Sequence, residues 1–133
     1  MLDTDTCIAI IKRKSDHVLS NLRRKSVGQI GVSSIVLGEL AFGAARSERP
    51  AQNDAALQEF LLAIEVADFD RAAALEYGAV RAKLERTGRP IGSLDTLIAG
   101  HALALDVILV THNTREFGRV AGLRVEDWLT LPT

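Results

Sequence analysis

The hydrophobic positions of this chain alternate between two spacings. Over most of its length, apolar residues recur at steps of three and four residues, which is the period of an amphipathic helix. Short apolar runs interrupt these stretches, and the unbroken run at residues 107–111 is typical of a strand that is buried on both faces of a parallel sheet. Helices that alternate with such strands predict an α/β fold with right-handed crossover connections.

Turn and capping residues place the predicted elements along the chain. Pro90 and Gly92 form a turn before a helix whose apolar stripe includes Leu94, Leu97 and Ile98. The predicted strands are the N-terminal residues up to Asp3–Asp5, followed by residues 29–34, 65–69, 107–111 and 123–126. The expected helix caps are Asp5 or Thr6, Ser33 or Ser34, Asp70 and Ser93.

The composition is that of a single globular domain. The chain has 133 residues, of which 47% are hydrophobic and 25% are charged, so we expect one domain over residues 1–133. No apolar stretch approaches the ~20 residues of a membrane span, and no signal peptide is recognisable. Cys7 is the single cysteine, which excludes an internal disulfide and fits a cytoplasmic location. The net charge of −1 argues against general polyanion binding but leaves room for local basic patches.

Carboxylates lie near the ends of the predicted strands. Asp3 ends the first strand, Glu39 lies about one turn past the cap of its helix, and Asp95 lies in the first turn of another helix. A carboxylate such as Asp95 could simply complement the helix dipole, which is worth up to about 1 kcal/mol. Carboxylates that converge without a cation repel one another, which raises their pKa values. Because Mg²⁺ and Mn²⁺ prefer oxygen ligands, the set predicts a site for one of these ions at the carboxyl edge of the sheet.

Four segments carry a family resemblance that extends over the whole chain. They are LDTD at residues 2–5, SSIVLGEL at 33–40, IGSLDTLIA at 91–99 and VTHNTREF at 110–117, and GLRVEDW at 122–128 closes the series. In this order and spacing they resemble the PIN-domain ribonucleases, and more closely the VapC toxins of bacterial type II toxin–antitoxin pairs. The resemblance implies a three-layer α/β/α sandwich around a mostly parallel central sheet.

The resemblance also implies an acidic triad. Asp3, Glu39 and Asp95 would hold Mg²⁺ or Mn²⁺, with Asp3 and Asp95 in direct coordination and Glu39 binding through water or orienting the nucleophile. A divalent cation at this point activates water and neutralises charge on a phosphate. The implied activity is therefore metal-dependent endonucleolytic hydrolysis of phosphodiester bonds in RNA, with no covalent intermediate on a side chain.

Two positions depart from the family pattern. The fourth catalytic position, where many members have an aspartate, falls on Glu116 or on Asn113 beside it. Asp5 stands where the family more often has asparagine, and it adds negative charge that would alter metal binding. The strand before Asp3 is also shorter than usual. Thr111 is a further accessory candidate, as a hydrogen-bond partner of the acids.

The same resemblance implies the substrate and the partners. The substrate would be RNA, with tRNA as the leading candidate because close VapC relatives often cut the anticodon stem-loop of initiator tRNA. The partners would be a VapB-like antitoxin and a second copy in a homodimer, with the helices around Phe42 and Phe60 as candidate contact surfaces. No membrane is involved. The candidate RNA-contacting residues are Arg86, Arg89, Arg115 and Arg119.

Two other functions are compatible with part of the sequence. The segment from Asp3 to Thr6 resembles the start of the haloacid-dehalogenase phosphatases, but these also need a later lysine, and no lysine follows Pro90. A receiver-like signalling domain, which would not be an enzyme, needs a lysine after a late strand, and none follows Lys83. The histidines at positions 17, 101 and 112 lack paired metal-ligand spacing, so we expect them to be hydrogen-bonded or to face solvent.

Overall fold

Helices and short parallel strands alternate along the chain, as the hydrophobic pattern predicts. The computed structural model describes residues 1–13, 16–25 and 28–129. The helices are α1 (Thr4–Ile11), α2 (Asp16–Arg23), α3 (Ser34–Ala45), α4 (Pro50–Leu61), α5 (Arg71–Arg86), α6 (Ser93–Leu105) and α7 (Thr114–Phe117). The strands are β1 (Gly31–Ser33), β2 (Glu65–Ala67), β3 (Leu109–Val110) and β4 (Val125–Glu126).

The N-terminal residues join two strand pairs into one parallel sheet. β1 pairs with β2 and β3 pairs with β4, both in parallel. Between these pairs, the Leu2 amide donates to the Gly31 carbonyl (2.9 Å), and the Val110 amide donates to the Met1 carbonyl (2.7 Å). Leu2 also forms a parallel bridge with Val110. The spatial order is therefore β2, β1, Met1–Leu2, β3, β4, and β3 lies inside the sheet, as predicted for residues 107–111.

The centre of this sheet is buried on both faces. Leu2, Val32 and Leu109 are at most 1% exposed, which requires helices above and below the strands. α5 packs along α6, while α3 packs against α1 and α4 and also touches α6. This is the predicted three-layer arrangement. No helix in the described ranges is long and apolar enough to cross a membrane.

Close packing of α5 against α6 fixes the helix that carries Asp95. A Cβ atom at Gly100 would lie 2.7 Å from both the Cα and the amide nitrogen of Tyr77. Because both of these are backbone atoms, they cannot rotate away as a side chain could. Only glycine at position 100 therefore allows the two helices to approach this closely.

Two of the predicted helix caps are wrong. α1 is capped by Asp3 rather than by Asp5 or Thr6, because the chain turns directly out of the sheet and the Asp3 carboxylate accepts a hydrogen bond from the Thr6 amide (3.0 Å). The first strand is accordingly shorter than predicted. The cap of α6 is Gly92, while Ser93 is already helical and no side chain caps the helix.

Other local predictions are confirmed. Ser33 caps α3 by accepting from the amide of Ile35 (3.1 Å), and Asp70 caps α5 by accepting from the amide of Ala73 (3.0 Å). Cys7 lies fully inside the core, and burial raises the pKa of its thiol. Local side-chain chemistry thus located these two helix starts.

Candidate active site

Asp3 lies at the centre of the carboxyl edge of the sheet. It is 5% exposed, and both of its oxygens are engaged. One accepts the hydrogen bond of the Thr6 amide, and the other accepts a hydrogen bond of 2.5 Å from the Thr111 hydroxyl. Burial raises the pKa of Asp3, and the nearby negative charge of Asp5 raises it further. Hydrogen bonds from Thr111 and Thr6 act in the opposite direction and lower the pKa in part. A buried carboxylate that is held on both sides is well suited to fixed coordination.

Thr111 links Asp3 to the fourth acidic position. Its hydroxyl donates to Asp3 and accepts from the amide of Asn113 (3.0 Å). The Asn113 side-chain amide in turn donates to Glu116 (3.0 Å). Glu116 therefore supplies the carboxylate at this position, and Asn113 orients it.

Asp95 and Glu116 meet across the mouth of the site. The pKa of Asp95 is raised to about 6, first by burial and then by the charges of Glu116 and Asp3, with a hydrogen bond to Glu116 and the charge of Glu39 contributing less. Asp95 lies in the first turn of α6, where the helix dipole favours its charged form. Burial and the other three acids nevertheless raise its pKa, so dipole complementarity alone does not describe its surroundings.

Glu39 approaches the same point from α3. The Thr4 hydroxyl donates to Glu39 at 3.3 Å. Glu39 is partly buried, and it also lines one end of a groove of about 290 Å³ that runs between α1, α3 and α4. The groove has apolar walls and polar ends; its other lining residues include Ile8, Ile11, Lys12, Leu40, Arg46, Asn53 and Leu57.

The acids at this site offer the type of ligand atom that a hard divalent cation binds. Among the described residues, no group of three His, Cys, Asp or Glu side chains is arranged to hold a metal ion directly. Every acid at the site nevertheless presents oxygen, as Mg²⁺ and Mn²⁺ prefer. The mutual repulsion of these acids contributes to the raised pKa of Asp95, and a divalent cation would offset that repulsion. Asp3, Glu39, Asp95 and Glu116 are the residues that would hold it.

The remaining predicted site residues differ in their exposure. Asp5 is exposed, as are Arg86, Arg89 and Arg115. Arg119 differs from the other arginines because it is partly buried and donates to the carbonyl of Pro90 (3.1 Å). It thereby ties the end of α7 to the loop before α6. RNA contact by these four arginines stays a prediction.

Sequence reasoning missed two contacts of the histidines. His112 pairs with Asp127 at 3.1 Å beside the acidic centre. His101 is buried, with Nδ1 2.8 Å from the Ser33 hydroxyl, while its Nε2 has no partner among the described residues. We expected each histidine to be hydrogen-bonded or to face solvent. For His101 this holds at Nδ1 but not at the buried Nε2. No periodic signal marks either pair, because the partners are separated by other elements.

Comparisons with known proteins agree with this geometry. The PIN domain model matches residues 1–123. The chain is 48% identical over 128 residues to a protein of Shigella flexneri named tRNA(fMet)-specific endonuclease VapC, and the match covers 96% of both chains. Solved structures of DNA-bound VapBC from Salmonella typhimurium and of VapBC2 from Rickettsia felis bound to a promoter fragment are both similar, with TM-scores of 0.92. Their identities are 44% and 40%, and the matches cover 96% of this chain and 96% or 97% of those chains. None of these findings supports the phosphatase or receiver-like alternatives.

Proposed function

Since this chain belongs to the PIN-domain family, and within it to the VapC ribonucleases of toxin–antitoxin pairs, we propose that it is a Mg²⁺- or Mn²⁺-dependent endoribonuclease that cuts tRNA. The observation that carries the proposal is the convergence of acids from separate elements of the chain. Thr111 and Asn113 link Asp3 to Glu116, and the Thr4 hydroxyl binds Glu39. Asp95, in the first turn of α6, lies near enough for the charges of all three to raise its pKa. The name of the Shigella relative points to initiator tRNA as the substrate to test first.

Each acid has a distinct part in this proposal. Asp3 is held rigidly by its two hydrogen bonds and provides a fixed ligand. Asp95 would coordinate the cation in its ionised form, without a hydrogen bond to Glu116. Glu39, held by the Thr4 hydroxyl, orients the attacking water. A bound divalent cation supplies the positive charge that activates water and stabilises the phosphate in the transition state.

The test is cleavage of purified initiator tRNA and elongator tRNAs in Mg²⁺, in Mn²⁺ and in EDTA, with the new 5′ and 3′ ends sequenced. Asp3→Asn and Asp95→Asn should each abolish cleavage while the fold is retained. Asp54→Asn, on the exposed surface of α4, is the matched control and should cut like the wild type. Full cleavage by either active-site variant in Mg²⁺ would show that the assignment is wrong.

An antitoxin and a second copy of the chain are the proposed partners. The similar structures are VapBC complexes, and the groove beside Glu39 offers apolar walls for an anchor residue of a peptide and an acid for its arginine. Phe42 is 64% exposed on α3, which suits a contact between copies, whereas Phe60 packs against the core. Co-purification with the neighbouring gene product tests the first partner, and light scattering at micromolar concentration tests the second. A monomer would refute the homodimer.

A further inference from the structure

His112 and Asp127 form a pair with a fixed orientation beside the acidic centre. The Asp127 carboxylate lies 3.1 Å from Nδ1 of His112 and also accepts from the amide of Leu129 (2.9 Å). The His112 side chain is 61% exposed and that of Asp127 only 18%. The imidazole is therefore held from its buried side through Nδ1, and most of the side chain is open to solvent.

The pair lies on the same edge of the sheet as the carboxylates. His112 directly follows Thr111, whose hydroxyl donates to Asp3. Asp127 directly follows Glu126, whose carbonyl accepts from the Thr111 amide at 2.8 Å. Consecutive Cα atoms are about 3.8 Å apart, so His112 branches from the chain right beside the residue whose hydroxyl binds Asp3. An RNA strand whose phosphate reaches the carboxylates would extend past this ring on one side.

The chemistry of the pair determines which ligand group it can bind. A carboxylate only accepts hydrogen bonds, so Nδ1 of His112 carries a proton towards Asp127, and Nε2 of the neutral ring is then an acceptor. Phosphate oxygens are acceptors too and cannot bind to it. The ribose 2′-hydroxyl is a donor, and it is the group that distinguishes RNA from DNA.

We propose that His112, oriented by Asp127, accepts a hydrogen bond from the 2′-hydroxyl of a nucleotide next to the scissile phosphate. His112 is then a specificity-determining residue for RNA at this position. The inference rests on the proposed ribonuclease function and adds a contact that the acidic centre does not supply. Because the His112 side chain is mostly exposed, its replacement should leave the fold intact.

The test compares an all-ribose oligonucleotide containing the cleavage site with a series carrying one 2′-deoxy nucleotide at each flanking position. Single-turnover rates are measured in Mn²⁺ at about pH 8, where free imidazole is neutral. The wild type should lose about 3- to 10-fold at one position, the size of one neutral hydrogen bond. His112→Phe should lose the same factor on all-ribose RNA and be insensitive to the 2′-deoxy change at that position.

Three further variants separate this contact from a general effect. His112→Gln retains an acceptor and should be more sensitive to the 2′-deoxy change than His112→Phe. Asp127→Ala removes the group that orients the ring and should be less sensitive to that change than the wild type. His17→Phe, on α2, is the matched control and should behave as the wild type. The inference is wrong if His112→Phe keeps the full wild-type sensitivity to the 2′-deoxy change at every position. It is also wrong if His112→Phe lowers the rate equally on all oligonucleotides and this loss shrinks with added salt, as expected for a phosphate contact.

Failure of the inference can be told apart from failure of the proposed function. Metal-dependent cleavage of the all-ribose RNA by the wild type tests the function alone. Fluorescence anisotropy with Asp95→Asn, with and without His112→Phe, measures binding of the same oligonucleotides without cleavage. The affinity should fall 3- to 10-fold for the critical 2′-deoxy substitution only when His112 is present, as expected for one hydrogen bond. Equal affinities for the ribose and deoxy forms in the presence of His112 would overturn the proposal.

Discussion

Replacing Asp95 by asparagine is expected to stabilise the cation-free protein and to weaken its response to Mn²⁺. The pKa of Asp95 is raised from 3.8 to about 6 in the folded chain, so the folded state binds more protons than the unfolded state between these values. Stability of the cation-free protein should therefore fall as the pH rises from about 4 to about 6 and stay low above that range. Asparagine does not titrate, and its side chain can still donate to Glu116.

The size of the effect follows from the pKa difference of about 2 pH units. At 1.36 kcal/mol per unit this gives about 3 kcal/mol as an upper limit. Because Asp95 is only partly buried, solvent screening reduces it to about 1–2 kcal/mol. For a chain of this length we expect a gain in Tm of about 4–8 °C at neutral pH and almost none near pH 4.

Thermal scans at the two pH values, with and without Mn²⁺, provide the assay. Mn²⁺ should raise the Tm of the wild type at neutral pH, since a ligand that binds only the folded state stabilises it by mass action, and should have little effect near pH 4. The rise should be much smaller for Asp95→Asn, while Asp54→Asn serves as the surface control. An equal Mn²⁺ shift in the wild type and Asp95→Asn would refute the role of Asp95 as a ligand. An unchanged pH dependence would refute the burial and charge argument itself.

Three further outcomes are expected. Thr111→Val removes the donor to Asp3 and should weaken Mn²⁺ binding by about 10-fold in calorimetric titration; unchanged affinity would show that Asp3 needs no such support. Gly100→Ala should lower the free energy of unfolding by about 1–3 kcal/mol, because the new Cβ would collide with the backbone of Tyr77. Gly78→Ala on α5 is the control and should not lower it, because a Cβ there has no neighbour within 4 Å. Urea unfolding of the two variants measures the difference. Burial lowers the pKa of His101, so the free energy of unfolding should fall as the pH drops below about 6.5. Urea titrations at several pH values should show a smaller fall for His101→Gln than for the wild type. An equal fall in both proteins would assign the effect to other groups.

Local patterns were sufficient to predict the elements and most of the acids. The helical spacing of apolar residues reflects which face of each helix is buried, and the apolar run at 107–111 reflects a strand that is buried on both faces. Ser33 and Asp70 were predictable as caps because a cap bonds to an amide two or three residues away. The acids Asp3, Glu39 and Asp95 were predicted in the same way, from positions next to strands and from motif order, and their roles as ligands stay predictions.

The partners of those acids were decided by the tertiary structure. Thr111 reaches Asp3 across 108 positions of the sequence, and no spacing rule covers that distance. The cap of α1 was predicted wrongly because the chain turns out of the sheet directly at Asp3, so that the Asp3 carboxylate accepts the hydrogen bond of the Thr6 amide. The choice of Glu116 over Asn113 likewise depended on which side chain faces Asp95, and the role of Asn113 as a donor appears only in that arrangement.

The sequence by itself thus determined the alternation of helices and strands, the family and the acidic residues, because each is encoded within a few neighbouring positions. Only the tertiary structure decided how those residues interact. Burial raises the pKa of Asp3 and Asp95, and Asp127, which follows another strand, lies 3.1 Å from Nδ1 of His112. The physical reason is that hydrogen-bond geometry and desolvation depend on distances in space, which parallel strand order and helix packing set after the local elements have formed.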